Sequence, residues 1–352
     1  MIVTAVVLLL SVAAAVLLLR RNAHENAVVR ESRTLLSPDP VGAPPPFTTE
    51  TIQNVHAECM KLAFGVGRFD YLILGEHATV LEQVAGKLGD GPLDQSYLPR
   101  RPMLLPKLLQ ALQDDETTRK SLVSLILQDP ALAGRVIQRA NSAFYRPSPQ
   151  AVENLDRAVS VLGTRGLRSL MPDIILQPVF RLPAGYFDKF APTTWDVAQR
   201  AGLAAEYLAR ETKGCDPMVA QLLALIESLS CVILFRMTAE EYRELPEVLP
   251  RAEVFIRVLQ DHAPVVATTI AQSWELLDPS IVACQEQVQK IAPANMSPLG
   301  RVLYFGQLVG SLAALVTQHR YSEEGAFALL KEQGLELEVA HGAWKRATQL
   351  ET

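Results

Sequence analysis

After one unbroken apolar run at the start, apolar residues recur every three or four positions along almost the whole chain. The run is Ile2 to Leu19, with only Thr4 and Ser11 as polar members. As a helix rising about 1.5 Å per residue it spans roughly 27 Å, close to the hydrocarbon thickness of a bilayer. Nothing but Met1 precedes it, whereas a cleaved signal peptide carries positive charge before its apolar stretch. Arg20, Arg21, Arg30 and Arg33 follow it. The positive-inside rule then places the rest of the chain in the cytoplasm. Residues 1–21 are therefore expected to be a single transmembrane anchor. A cleaved signal peptide and a buried helix of a soluble protein are the competing readings.

Residues 22–46 read as a charged juxtamembrane stretch and a spacer. Ser37 to Pro46 holds five prolines in ten residues, and proline lacks both the donor and the φ freedom of a helix, so an extended, semi-rigid linker is expected. Beyond it the period is helical. Ile52, Val55, Cys59 and Leu62 form one stripe, with Thr48 or Thr49 as N-cap, and Leu81, Val84 and Leu88 form another. Residues 47–97 are thus expected to be a helical lead-in. From Pro102 the helices are short and evenly spaced. Leu104, Leu105, Leu108, Leu109 and Leu112 make one face, and Leu122, Leu125 and Ile126 the next. Asp129-Pro130 opens a third, since Asp accepts free first-turn N–H groups and Pro at N1 lacks only a donor that would be orphaned there. Further helices are expected at 154–162, 164–176, 193–212, 217–237, 251–260, 263–276, 279–291, 298–318, 323–333 and 335–350. Gly214 stands where a helix C′ residue belongs. No long strand alternation and no repeat of fixed period is visible.

Composition narrows the picture. Hydrophobic residues are 49% of the chain and aromatics 6%, a balance that favours helices packed on helices. The net charge of -5, with no basic block after the first helix, argues against nucleic acid as a partner. Cys59, Cys215, Cys231 and Cys284 form no C-x-x-C pair and read as reduced, largely buried thiols.

Three segments in order carry a family likeness. The chain has Leu98-Pro99 followed by Met103 to Pro106, then Gln128-Asp129-Pro130 with Leu132 and Ala140 to Phe144 (ANSAF), then Leu155 to Gly163 (LDRAVSVLG). Together they resemble the HDOD family, the HD-related output domains of bacterial signalling, over residues 98–296. The later half agrees less well. Trp195 with Ala198 resembles the family's tryptophan helix, with Val197 where a His commonly stands. His262 to Trp274 resembles its H…W helix. Leu223 to Leu234 resembles the G-L-L-H-D-I-G segment of catalytic HD relatives, with Glu227-Ser228 at the His-Asp places. A His pair found in some relatives falls near Gln285-Glu286. The resemblance implies an all-α, multi-helix HDOD-like bundle at 98–296, with C-terminal helices at 297–352. With the apolar run, the expected place is the bacterial cytoplasmic membrane, anchored through residues 2–19. The signature positions are Asp129, Pro130, Asn141, Ser142, Trp195, His262 and Trp274.

Chemistry is sparse in the sequence. None of the six histidines (24, 56, 77, 262, 319 and 341) is followed by Asp, and no two stand at ligand spacing on one helix. No metal, no catalytic residue and no cofactor is expected, for no P-loop, G-x-S-x-G or G-x-G-x-x-G occurs. Glu227, in an apolar run, is either a buried carboxyl with a raised pKa or a helix-edge glutamate reaching solvent or an arginine. His262 reads as a cap or a satisfied interior group. Gly306-x-x-x-Gly310 reads as a close approach of two helices. Asp129 is read as an N-cap, and Asn141 as a helix end whose amide can bond free carbonyls and whose backbone tolerates a left-handed turn. The expected function is a non-enzymatic signalling module that binds a partner protein or a nucleotide messenger. An HD-type phosphohydrolase with a displaced metal site and a membrane-linked scaffold are the alternatives.

Overall fold

The computed structural model describes residues 51–70, 72–89, 97–98, 104–114, 116–142, 145, 151–180, 182 and 185–350. The apolar run 2–19, the proline-rich spacer, Thr48, Thr49, Pro99, Met103, Ala143 and Phe144 lie outside these residues, as do some side chains of the first and third helices. The chain divides into Met1–Pro45 and Pro46–Thr352, and the described residues belong to the second unit. Among them every regular element is helical, as the sequence pattern predicts.

Thirteen α-helices follow in order: α1 Thr51–Phe64, α2 Glu76–Gly89, α3 Leu105–Gln113, α4 Arg119–Ile126, α5 Pro130–Ala140, α6 Leu155–Leu176, α7 Phe190–Glu211, α8 Pro217–Arg243, α9 Ala252–Ser273, α10 Asp278–Val288, α11 Pro298–Thr317, α12 Glu323–Glu332 and α13 Leu337–Thr348. Their starts are written locally. Asp129, Asp216 and Ser297 each cap a first turn whose first residue is proline, and Thr118, Asn154 and Ser322 cap others through their side chains. At Gly163 (φ 64, ψ 171) the run α6 is kinked, which agrees with the expectation of two helices meeting there. Only glycine enters that backbone region without strain.

α7 is the centre of the bundle, packed by α11, α8, α13 and α1. The closest seam is α7 against α11. A Cβ placed on Gly306 would lie 2.7 Å from the Cβ of Ala205, and one on Gly310 would lie 2.5 Å from the Cα of Ala201. The glycine pair therefore does bring two helices into close contact, and Ala201 and Ala205 are the small residues facing it. The few aromatics are concentrated. Phe190 stacks on Phe235 at 4.4 Å, and Phe64 meets Phe190, Phe187 and Phe255 at 5.0–5.8 Å, so α1 is pinned onto the body through one ring cluster. α8 and α11 are long and apolar enough to cross a bilayer, but 83% and 78% of their most apolar windows are buried inside the bundle. They are core helices, and their apolarity reflects burial on all sides.

Four expectations about the helix boundaries need correction. A break was expected between 260 and 263, but α9 runs through Pro264. Pro264 lacks the N–H that would bond the Gln260 carbonyl, and Gln260 is exposed, so solvent can reach it there. α7 begins three residues earlier than the pattern indicates, at Phe190, because that ring is buried in the aromatic cluster. α8 extends six residues past Met237 to Arg243, with Thr238, Glu241 and Tyr242 buried along it. The left-handed glycine after α7, Gly214 (φ 84), stands one position beyond C′.

Candidate functional site

The signature segment around α5 is built from backbone bonds. Asp129 Oδ1 accepts from the N–H groups of Ala131 (2.9 Å) and Leu132 (3.0 Å). Asn141 ends the helix at φ -90, ψ -2, so the left-handed turn expected there is not formed. Its amide donates, as expected, to a free helix carbonyl, that of Ile137 (3.0 Å), and also to Val152 (2.8 Å), and its oxygen accepts from Val152 N–H (2.7 Å). A side chain that satisfies both groups of an opposing residue acts as a staple between the end of α5 and the strand of chain leading to α6. Pro130 is exposed at N1, and the Ser142 Oγ is buried without a hydrogen-bond partner. Tyr145 lies over Gly166 of α6.

The other signature residues do not join this segment. Trp195 on α7 is half-buried against Phe180 at 4.8 Å. Trp274 is buried at the C-cap of α9. His262 lies in mid-helix in α9, so it is not a cap, and burial lowers its pKa. Its neighbour Asp261 turns away to Arg257 at 2.7 Å, and no acid–base dyad forms.

Glu227 is half-buried, and of its two readings the one with a raised carboxyl pKa holds. It sits on α8 facing α10 and α11. The Gln307 side chain donates to the Ala224 carbonyl at 2.8 Å and also bonds the Glu227 carboxyl. Burial pushes that carboxyl up to about 8, so it is largely protonated at neutral pH. The nearby thiols of Cys231 and Cys284 are pushed up to about 12 by the same burial and by the Glu227 charge.

A second buried polar group, not foreseen from the sequence, joins α5, α6, α7, α8 and α13. Asp173 accepts from Gln199 (3.2 Å) and Gln221 (3.1 Å), with Arg139 at 4.0 Å. Burial dominates these contacts and raises its carboxyl to about 6. Glu206 holds Arg210 at 2.5 Å and Arg346 at 2.9 Å, and accepts from Ser169 at 3.3 Å. An aspartate inside Leu170-Met171-Pro172-Asp173-Ile174-Ile175 is a signal that could have marked it. A groove of about 330 Å³ lies between Phe69, Leu72 and Ile73, Leu81 of α2, and Glu253, Ile256, Arg257 and Gln260 of α9, with Leu72 itself exposed.

A helix that opens on D-P and closes on a stapled Asn, a kinked helix after it and a bundle around α7 define a class of all-helical domain. The HDOD domain family matches residues 98–290, more than half of the chain. The chain belongs to the HDOD domain family. Three solved structures share the fold. One is a candidate metal-dependent phosphohydrolase from Shewanella amazonensis SB2B (17% identity, TM-score 0.52, 78% of this chain and 100% of that chain). Another is a candidate signal transduction protein from Marinobacter aquaeolei VT8 (20% identity, TM-score 0.51, 81% of this chain and 66% of that chain). The third is an HDOD domain protein of unknown function from Geobacter sulfurreducens (16% identity, TM-score 0.50, 78% of this chain and 90% of that chain). At these identities the likeness is one of fold. No curated protein matches the chain.

The donor set at the His-Asp places does not fit an HD-type metal. Glu227 and Ser228 take the places of the His and Asp, so the imidazole and carboxylate pair that such a site uses is missing there. The histidines described lie on α1, α2, α9 and α13 and after α11. Among the described residues no three His, Cys, Asp or Glu side chains come together to hold an ion.

Proposed function

We propose that this chain is a non-catalytic signalling module that binds a partner protein or a nucleotide messenger, held at the inner face of the bacterial cytoplasmic membrane through residues 2–19. One observation supports the non-catalytic reading: Glu227 and Ser228 stand at the places of the His-Asp pair, the Glu227 carboxyl is bonded by Gln307, and among the described residues no three His, Cys, Asp or Glu side chains come together there. Membership of a family of signalling output domains and fold likeness to a candidate signal transduction protein support the regulatory reading.

The test is elemental analysis of the purified full chain, together with hydrolysis assays on phosphoesters and cyclic dinucleotides. Neither stoichiometric Fe, Mn or Zn nor hydrolysis is expected. One equivalent of metal with turnover would establish the phosphohydrolase alternative. A melting shift on adding a ligand would speak against a pure scaffold.

A further inference from the structure

The front of the domain is joined to its body through one helix. α3, α4 and α5 pack on α6 and on one another, and α6 carries them onto α7 and α8. Asp173, on the second limb of α6, is buried at that joint. Gln199 of α7 donates to its Oδ2 at 3.2 Å. Gln221 of α8 donates through Nε2 to its Oδ1 at 3.1 Å and to the Ser169 carbonyl at 2.8 Å. The charged groups that face Asp173 are Arg139 from α5, at 4.0 Å and so beyond hydrogen-bond length, and Glu206 from α7. Glu206 in turn accepts from Ser169 of α6 and is held by Arg210 and by Arg346 of α13. From α8 the carboxyl meets the neutral Gln221 amide.

One atom of this group is unmatched. The Gln221 side chain is fully buried, its Nε2 makes two bonds, and its Oε1 has no hydrogen-bond partner among the described residues. An unpaired buried acceptor is costly and rare. Turning the amide over does not relieve it, because Oε1 would then face the Ser169 carbonyl, acceptor against acceptor. An ionised Asp173 has no hydrogen to offer. A protonated Asp173 has one. A carboxylic acid and a primary amide pair twice, N–H to C=O in one direction and O–H to C=O in the other. The first of these two bonds is already present at 3.1 Å. Burial favours the same state, since it raises the Asp173 carboxyl to about 6.

We propose that Asp173 is a proton-operated latch between α6 and the body: protonated, it donates to Gln221 Oε1 and holds α6 on α8, and deprotonated, it leaves that oxygen unpaired beside a buried charge and loosens the joint. The inference concerns regulation of the fold, goes beyond the proposed function and holds whichever partner the chain binds. Its sign follows from linkage. The folded-state value is raised from 3.8 to about 6, so the latch contributes in full below 3.8 and its contribution is lost as pH rises through about 6. Between pH 5 and pH 7 the opening constant of the joint should therefore rise by about tenfold.

The experiment combines infrared difference spectroscopy with native-state hydrogen exchange on the full chain in mild detergent. The wild type should show the carbonyl stretch of a protonated carboxyl at pH 5 that fades by pH 7, whereas the Glu227 signal persists to about 8. Amides of the second limb of α6 and the first turns of α8, corrected for intrinsic exchange, should open about tenfold more often at pH 7 than at pH 5. Asp173→Asn keeps a donor for Oε1 and an acceptor for Nε2 but does not ionise. It should lack the fading band, open equally at both pH values and melt above the wild type at pH 7. If that variant does not fold, the two wild-type measurements decide. No band that fades between pH 5 and pH 7, equal opening of the wild-type joint at both, or a pH dependence kept by Asp173→Asn overturns the latch; a water on Gln221 Oε1 beside a permanently ionised Asp173 would give the first two results. The metal and hydrolysis assays test the non-catalytic reading separately.

Discussion

Replacing Gly310 by alanine is the sharpest test of how the bundle is held together. The new Cβ would stand 2.5 Å from the Cα of Ala201 and 2.7 Å from its Cβ. Carbon atoms rest about 3.5–4.0 Å apart, so α11 and α7 must separate by about 1 Å. Overpacking costs about 1–3 kcal/mol, and a clash with backbone belongs at the upper end because no rotamer relieves it. Alanine recovers about 1 kcal/mol of helix propensity over glycine. The net loss is about 2 kcal/mol, a fall in Tm of roughly 4–8 °C for a domain of this size. Gly134→Ala in α5 is the matched control: nothing lies within 4 Å of its Cβ position, so the same change should stabilise by about 0.5–1 kcal/mol. Urea and thermal unfolding of the full chain in mild detergent read both signs. Adding Ala201→Gly to Gly310→Ala should rescue little, because the clash is with main chain. Adding Ala205→Gly to Gly306→Ala should rescue more, since there the nearest atom is a Cβ. A Gly310→Ala protein that melts at or above the wild type, or full rescue by Ala201→Gly, would refute the close seam.

Three further outcomes are expected. Asp129→Ala should cost about 0.5–2 kcal/mol as a lost N-cap, and Asn141→Ala about 1–3 kcal/mol as Val152 and Ile137 lose their partners; a variant that melts like the wild type yet loses its binding partner would make either residue a recognition site instead. Glu227 has a folded-state pKa raised from 4.5 to about 8, so its contribution is present in full below 4.5 and is lost as pH rises to about 8. The Tm of Glu227→Gln relative to wild type should therefore be higher at pH 8 than at pH 5, and an equal difference at both would show an ordinary solvated carboxylate. A reporter active only outside the cytoplasm, fused after Thr352, should be silent, and strong activity would reverse the proposed topology.

Much of the fold was legible because the relevant physics is local. Asp129-Pro130 states both the cap and the first residue of α5, and a three-to-four residue period marks each buried face. What was hidden depended on residues far apart in sequence. Nothing near Pro264 says that the carbonyl it deprives faces water, so the helix looked broken there. Glu227 could be read either way until α11 supplied Gln307, eighty residues later. Gly306 and Gly310 announced a close approach, but only the fold pairs them with Ala201 and Ala205, although that small-residue spacing was itself visible. The polar group around Asp173 and Glu206 draws on five helices, and no window of sequence contains it.

The α7–α11 seam also has a consequence for synthesis. Ala205 leaves the ribosome 105 residues before Gly310, which at about 5–20 residues per second is a delay of roughly 5–21 s. During that interval the face of α7 that will receive α11 has no native cover. A helix made late in synthesis is thus the one that seals the middle, and loss of α11 by truncation would leave that face of α7 uncovered.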